Sequence, residues 1–354
     1  MKKVAVIVLT WNARRYAEDL FLSVRKLAYP KEYRSIFVVD NASEDGSAEY
    51  IKNYFSEITL IQLDQNIGFA GGNNVGMMHA LAENFEYIVL LNHDTEVDSQ
   101  WLCELVKAAE SSKDIGAVQS LVLLQSEREI INTRGNEFFY LGIGYSGGYK
   151  EQKNEYLLKL AESKKAYPQC AYASGSSLLL KASVLREVGL FNEEHFAYPE
   201  DFDLGWRIRL AGYTIVTAPR SIMFHKYEFN RHKVRQYYWL ERNRILILYA
   251  NYRFATLLLL LPMLILLECA LWGFFILEGG ARWKLKSYGY ILRHLSRAIR
   301  EKKVVAKLRR VSDRRILEFF SGTLKFADMN NAGLRVLNLA WGAYFHFVKF
   351  VVRW

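Results

Sequence analysis

The sequence predicts an α/β protein with a mostly parallel central sheet, followed by an α-helical carboxyl-terminal region. Three observations lead there. Short β-branched runs alternate with amphipathic helical patterns through about the first 120 residues, the mark of parallel strands joined by helices. Those runs end in polar residues just before a helical segment, where open α/β sheets hold their ligands. Beyond residue 230 the alternation gives way to long apolar and basic stretches with helical spacing.

The elements follow in order. Met1-Lys2-Lys3 and the next six apolar residues resemble a signal peptide, but the run is too short and stops at Thr10-Trp11-Asn12, so it is expected to be a buried first strand. Strands are expected at 4–10, 35–40, 58–63 and 87–92. Between 132 and 169 the pattern weakens into Gly- and Tyr-rich sequence (Gly142, Gly144, Gly147, Gly148) and then a charged stretch, which predicts a long flexible excursion. Order resumes at Ser174-Gly175-Ser176-Ser177 and the apolar residues after it. A short helix around Val184, a helix at 199–211 stopped by Gly212, and a strand at 213–218 complete this part. Cys103, Cys170 and Cys269 share no short spacing, which indicates neither a disulfide framework nor a zinc site and is consistent with a reducing compartment.

Charge is unevenly placed. The chain has 47 Lys and Arg against 37 Asp and Glu, a net +10. Residues 279–354 hold 17 basic and 4 acidic residues, so this stretch is +13 and everything before it is −3. The overall charge by itself invites a nucleic-acid partner, to be tested by steeply salt-dependent binding, and no specific one is expected.

Four strand or helix ends carry the polar chemistry. Val39-Asp40-Asn41-Ala42-Ser43 runs a strand into a carboxylate able to accept a hydrogen bond from a base or a ribose hydroxyl; equally, Asp40 or Ser43 can cap the next helix. Asn66-Ile67-Gly68-Phe69-Ala70-Gly71-Gly72-Asn73 opens a helix whose N–H groups can meet a phosphate, and its spacing is not G-x-G-x-x-G. Leu91-Asn92-His93-Asp94 offers oxygen ligands and an imidazole that suit Mg²⁺ or Mn²⁺. Glu200-Asp201-Phe202-Asp203 begins a helix with three carboxylates, as a general base or as an electrostatic cap, and His225 is either a ligand or a core histidine.

Together these segments, with Gly189-Leu190-Phe191-Asn192-Glu193, resemble the family 2 glycosyltransferases, inverting enzymes of GT-A fold, and especially their rhamnosyltransferase-like branch. The resemblance covers at least residues 3–225. It implies a nucleotide-sugar donor held by Thr10, Asn12, Asp40, Asn66, Gly68, Gly71, Asn73 and Asn92. It also implies a divalent cation, Mg²⁺ or Mn²⁺, at Asp94 and His225, Asp201 as catalytic base, and Glu200 and Asp203 in acceptor or supporting roles. Asn92 and His93 depart from the family pattern, which commonly has aspartate and proline there. This departure is what favours the alternative of a catalytically silent nucleotide-sugar-binding scaffold protein.

Phe254–Leu277 is a membrane-length apolar run containing Pro262 and Glu268. A simple crossing would carry the +13 tail to the outer face, against the positive-inside rule, so a re-entrant or interface-lying segment broken near Pro262 is expected. Leu285, Tyr288, Leu292, Leu295 and Ile299 recur at helical spacing among basic residues. Arg335, Asn338, Gly342, His346, Lys349 and Arg353 form one polar stripe on a terminal helix. Both patterns suit an anionic bilayer surface. The expected organisation is a GT-A domain at 1–230, a helical linker and hydrophobic segment at 231–278, and a basic interfacial region at 279–354. Its expected setting is the cytoplasmic membrane face, acting on a lipid-linked or membrane-anchored glycan acceptor.

Overall fold

The computed structural model describes residues 1–226, 234–325 and 332–354; the expected domain boundary at 230/231 lies outside them. The chain forms two compact units, one of Met1–Asn136, Ser146–Ile208 and Tyr213–Glu228, the other of Glu137–Tyr145, Arg209–Gly212 and Phe229–Trp354.

The first unit is the α/β body. Its first half alternates β1 (Val4–Thr10), α1 (Arg14–Arg25), β2 (Arg34–Asp40), α2 (Ser47–Tyr54), β3 (Thr59–Gln62), α3 (Gly68–Ala82) and β4 (Tyr87–Asn92). Then come β5 (Thr95–Val97), α4 (Trp101–Glu110), β6 (Ile115–Leu124) and β7 (Ile131–Thr133). The next strands in the chain, β8 (Asn136–Phe139) and β9 (Ile143–Ser146), pair with each other and fall mainly in the second unit. They are followed by α5 (Lys153–Ser163), β10 (Ser177–Lys181), α6 (Ala182–Val188), α7 (Glu200–Leu210) and β11 (Thr214–His225). All seven residues of β1 are buried, because helices cover both faces of a parallel strand. Val6, Val8, Leu20, Phe21, Val38, Val89, Trp101 and Leu105 are among the side chains of its main core.

The sheet runs β3-β2-β1-β4-β10-β6-β11-β5, with β7 on β6. It is mixed: β5 and β7 run antiparallel to β11 and β6, and inside the sheet β10 pairs antiparallel with β4 on one side and β6 on the other. An antiparallel insert brings its amino end to the edge where β4 presents its carboxyl end, so Ser177 lies opposite Leu91. The 174–176 turn therefore meets the chemistry at the end of β4.

The expected flexible excursion is ordered. Its glycines serve turns, with Gly135, Gly142 and Gly148 at φ of +115°, +103° and +74°, a region L-residues avoid. The last strand also outruns its expected end at Ala218. A register shift between Ala218 and Ile222 passes Pro219 without ending the ladder, and β11 continues to His225 opposite Thr95.

The second unit is helical: α8 (Val234–Asn251), α9 (Phe254–Leu277), α10 (Ala281–Arg293), α11 (Leu295–Leu308), α12 (Asp313–Leu317) and α13 (Ala332–Val351). The expected break near Pro262 does not occur, and α9 is one helix of 24 residues. Pro262 is on its exposed side, while Thr256, Leu260, Leu267 and Phe275 are buried, and their packing offsets the hydrogen bond that proline cannot donate. The basic amphipathic pattern divides at His294 into α10 and α11. The polar stripe of α13 is also divided: Arg335, His346 and Arg353 are exposed, but Asn338 turns inward, its amide donating to the Leu324 carbonyl and accepting from the Leu324 N–H at 2.8 Å each.

Candidate active site

The carboxyl ends of β1, β2 and β4 supply the first part of the site. Thr10 and Asp40 are register partners, and the Thr10 hydroxyl donates to Asp40 Oδ1 at 3.1 Å while the Ser43 N–H donates to Oδ2 at 3.1 Å. Asp40 is 2% exposed, so these bonds hold a nearly buried carboxylate at the sheet edge. Asn12, at φ +50°, donates its N–H to Ser43 Oγ and accepts from the Glu44 N–H through Oδ1, both at 2.9 Å.

Asn41 ties this edge to the next motif, a role that sequence spacing did not reveal. Its amide donates to Asn66 Oδ1 at 3.0 Å and to the Gly68 carbonyl at 3.2 Å, and its Oδ1 accepts from the Ile67 N–H at 2.9 Å. Gly68 has φ +82°, and a Cβ there would lie 2.6 Å from the Phe196 carbonyl oxygen. Gly71, Gly72 and Gly76 are inside α3. A Cβ on Gly72 would come within 2.3 Å of Leu9, and one on Gly76 within 2.5 Å of Ile7, so these two let the helix lie against β1. Gly71 is buried against Ile67, and Asn73 bonds within its own helix, to the Phe69 carbonyl at 3.0 Å. Neighbouring Asn74 instead fastens α3 to Phe191 and Glu193, in the segment leading to the carboxylates.

The end of β4 presents Asn92, His93 and Asp94. Asn92 is fixed through its backbone, donating its N–H to the Ser176 carbonyl and accepting from the Thr95 hydroxyl. His93 Nδ1 is 3.0 Å from the Leu9 carbonyl oxygen, so its ring folds back on β1. Asp94 Oδ1 is 3.4 Å from His225 Nε2 and is a buried oxygen with no hydrogen bond. Burial raises the Asp94 pKa, but its closeness to the His225 and His93 imidazoles outweighs it, and the net shift is down. Asn132 orients the histidine, with its Oδ1 3.0 Å from His225 Nδ1. Among the described residues no group of three His, Cys, Asp or Glu converges as a ready-made metal cage. An orphaned buried Asp94 oxygen beside an imidazole nitrogen is a donor set that fits a divalent cation.

Glu200 and Asp201 head α7. Asp201 Oδ2 accepts from the Gly175 N–H at 3.1 Å and Oδ1 from the Phe202 N–H at 2.8 Å. Desolvation raises its pKa and outweighs those bonds. Glu200, 6% exposed, is raised further, by desolvation first and by the Asp201 charge second, and its Oε2 has no hydrogen bond. Two adjacent carboxyls with raised pKa can hold or move a proton. Asp203 has structural work instead: it pairs with Arg207 at 2.9 Å, and that guanidinium binds the Val188 and Leu190 carbonyl oxygens. Tyr198, 47% exposed, has its hydroxyl pKa raised by burial and then by the charges of Glu200, Asp94 and Asp201. The 174–176 turn links the two places: the Ser176 carbonyl accepts from the Asn92 N–H at the end of β4, and the Gly175 N–H donates to Asp201. Gly175, Asn132 and Tyr198 had no distinguishing sequence signal.

A mixed α/β sheet with a carboxylate-lined strand edge is a nucleotide-binding architecture. Residues 5–189 match the family model described as glycosyl transferase family 2, and the chain belongs to that family. It is 23% identical over 224 residues to a poly-beta-1,6-N-acetyl-D-glucosamine synthase of Staphylococcus epidermidis, covering 62% of this chain and 48% of that protein. The chain therefore spans about half the length of that relative. It is 24% identical over 240 residues to the N-acetylglucosaminyl-diphospho-decaprenol L-rhamnosyltransferase of Mycobacterium tuberculosis, covering 62% of this chain and 75% of the relative. Among solved structures, the mannosyltransferase PcManGT of Pyrobaculum calidifontis, in complex with GDP-Man and Mn²⁺, superposes with a TM-score of 0.52 at 15% identity. The match covers 99% of this chain and 87% of that one. These likenesses show the GT-A-like fold.

Proposed function

We propose that the chain is an inverting glycosyltransferase that moves a sugar from a nucleotide donor to a membrane-anchored glycan or glycolipid at the cytoplasmic membrane face. Deoxythymidine-diphosphate rhamnose is the first choice of donor and a UDP-sugar the next. Relatives named as a decaprenol-linked rhamnosyltransferase and as an N-acetylglucosamine polymer synthase support a cell-surface glycan product. The observation that carries the reading is Asp201, a carboxylate of raised pKa fixed by two backbone N–H groups and tied through the 174–176 turn to the β4 end that leads into Asp94.

Asp201 takes the proton from an acceptor hydroxyl as that oxygen attacks the anomeric carbon. The bond from that carbon to the diphosphate breaks, and configuration inverts. Asp94 and His225 would hold Mg²⁺ or Mn²⁺, whose charge would stabilise the departing diphosphate. Asp40 reads the base with the acceptor capacity left after its bonds to Thr10 and Ser43. Asn12, Asn66, Gly68, Gly71, Asn73 and Asn92 line or support the donor side. Glu200, held protonated, donates to a sugar oxygen, and Asp203 holds the helix that carries both carboxyls. The domain organisation proposed with this is catalytic to 230, a helical hydrophobic linker to 278 and a basic interfacial region to 354.

Replacing Asp201 with Asn should lower turnover by about 10² to 10⁴ while donor binding persists, since general-base catalysis contributes on that scale. Steady-state transfer together with donor titration checks this, and near-normal turnover would sink the assignment.

A further inference from the structure

The helical unit turns part of its amphipathicity inside out. On α10, Lys284 is fully buried, its Nζ 2.6 Å from Glu268 of α9, and Ser287 is buried with its hydroxyl donating to the Tyr238 carbonyl at 3.1 Å. Leu285 and Leu292 on the same helix are 60% and 74% exposed, with Arg282, Lys286 and Arg293 exposed beside them. A helix packed on a soluble core would do the reverse.

The same holds along α9. Glu268, the one acidic residue in its apolar length, faces the protein, bound to Arg244 at 2.6 Å, to Lys284 and to the Tyr288 hydroxyl. The Thr256 hydroxyl accepts from Trp354 Nε1 at 2.8 Å, and the Leu259 carbonyl accepts from the Tyr344 hydroxyl at 2.6 Å. The helix is thus tied to its own unit at its amino end and, through Glu268, past its middle. The opposite stripe, Phe254, Leu258, Leu261, Ile265, Cys269 and Ile276, is exposed throughout.

We infer that this stripe of α9 and the leucine face of α10 enter one leaflet of an anionic bilayer, with α9 lying along the interface and not crossing it. This rests on the reading of the acceptor as membrane-anchored, and it names the surface that meets the membrane. Charge decides the occupant. A second copy seated on this face would bring together two stretches of +13, whereas anionic headgroups neutralise them. The pairing of Glu268 with Arg244 and Lys284 opposes a crossing, because a spanning α9 would have to break that network or drag its charges into hydrocarbon.

The test is flotation of the full chain with vesicles of phosphatidylcholine alone and of equal parts phosphatidylcholine and phosphatidylglycerol. Binding to the anionic vesicles should survive high salt, since buried leucines are not screened. The double variants Leu258→Glu with Ile265→Glu, and Leu285→Glu with Leu292→Glu, should each weaken it about tenfold or more, the scale of burying a leucine side chain. Cys269 supplies an internal probe: anionic vesicles should slow its reaction with a water-soluble maleimide. Undiminished flotation of both variants, an unchanged Cys269 rate, or variants that merely dissolve a dimer of this chain would each overturn the inference. Donor turnover with a water-soluble acceptor is measured on the same samples. Turnover without flotation refutes the bilayer surface alone, whereas salt-resistant flotation without turnover supports the surface and counts against the transferase reading.

Discussion

At the scale of single residues, the site depends on side chains whose ordinary behaviour is altered by burial. A carboxyl whose folded pKa exceeds its unfolded value binds protons more tightly when folded, so stability falls as pH rises from the ordinary carboxylate range through the raised value. Glu200 and Asp201 are both in that position. Glu200→Gln should therefore melt above the wild type at alkaline pH, with the gain vanishing in acid, in thermal unfolding measured across pH. The acid limb of turnover should lie above the ordinary aspartate range, because Asp201 must lose its proton to act. Asp94 has the opposite shift, so its ionised form contributes stability above the ordinary carboxylate range. Asp94→Asn should abolish Mn²⁺-dependent thermal stabilisation by nucleoside diphosphate and also lower the apo melting temperature at neutral pH, with that loss shrinking in acid. Asp40, Asp94 and Asp201 were legible in the sequence as carboxylates at element ends. Gly175 was not, because it bonds Asp201 across 26 residues of chain, and Asn132 is 93 residues from His225.

At the scale of elements, the glycine-rich run shows how one motif serves two purposes. Gly68 allows a backbone turn against the Phe196 carbonyl, while Gly72 and Gly76 let α3 approach β1. Gly72→Val should cost about 1 to 3 kcal/mol by overpacking against Leu9, read as a lower denaturant midpoint at unchanged slope. The first four strands were readable because each is a bounded β-branched run. The antiparallel insertion of β10 was not, since a run of three leucines carries no sign of its direction. Nor was the extension of β11 beyond Pro219, which needs the partner ladder of β6 to sustain it.

At the scale of the whole molecule, chain composition separates a near-neutral body from a basic helical tail. Screening the intact protein against nucleotide sugars with and without Mn²⁺ should single out one donor. Its stabilisation should reach about 2.7 kcal/mol at a hundredfold excess over Kd, and a flat response to deoxythymidine- and uridine-linked sugars would exclude both. The sequence by itself determined the α/β alternation, the family resemblance and the position of the excess charge, because these reside in local periodicity and residue type. Only the tertiary structure decided that Asn41 and Gly175 brace the site, that Asp203 serves Arg207, and that α10 buries Lys284 while exposing Leu285 and Leu292. Those outcomes depend on which distant residue supplies a partner for each buried polar group, and chain spacing does not encode that.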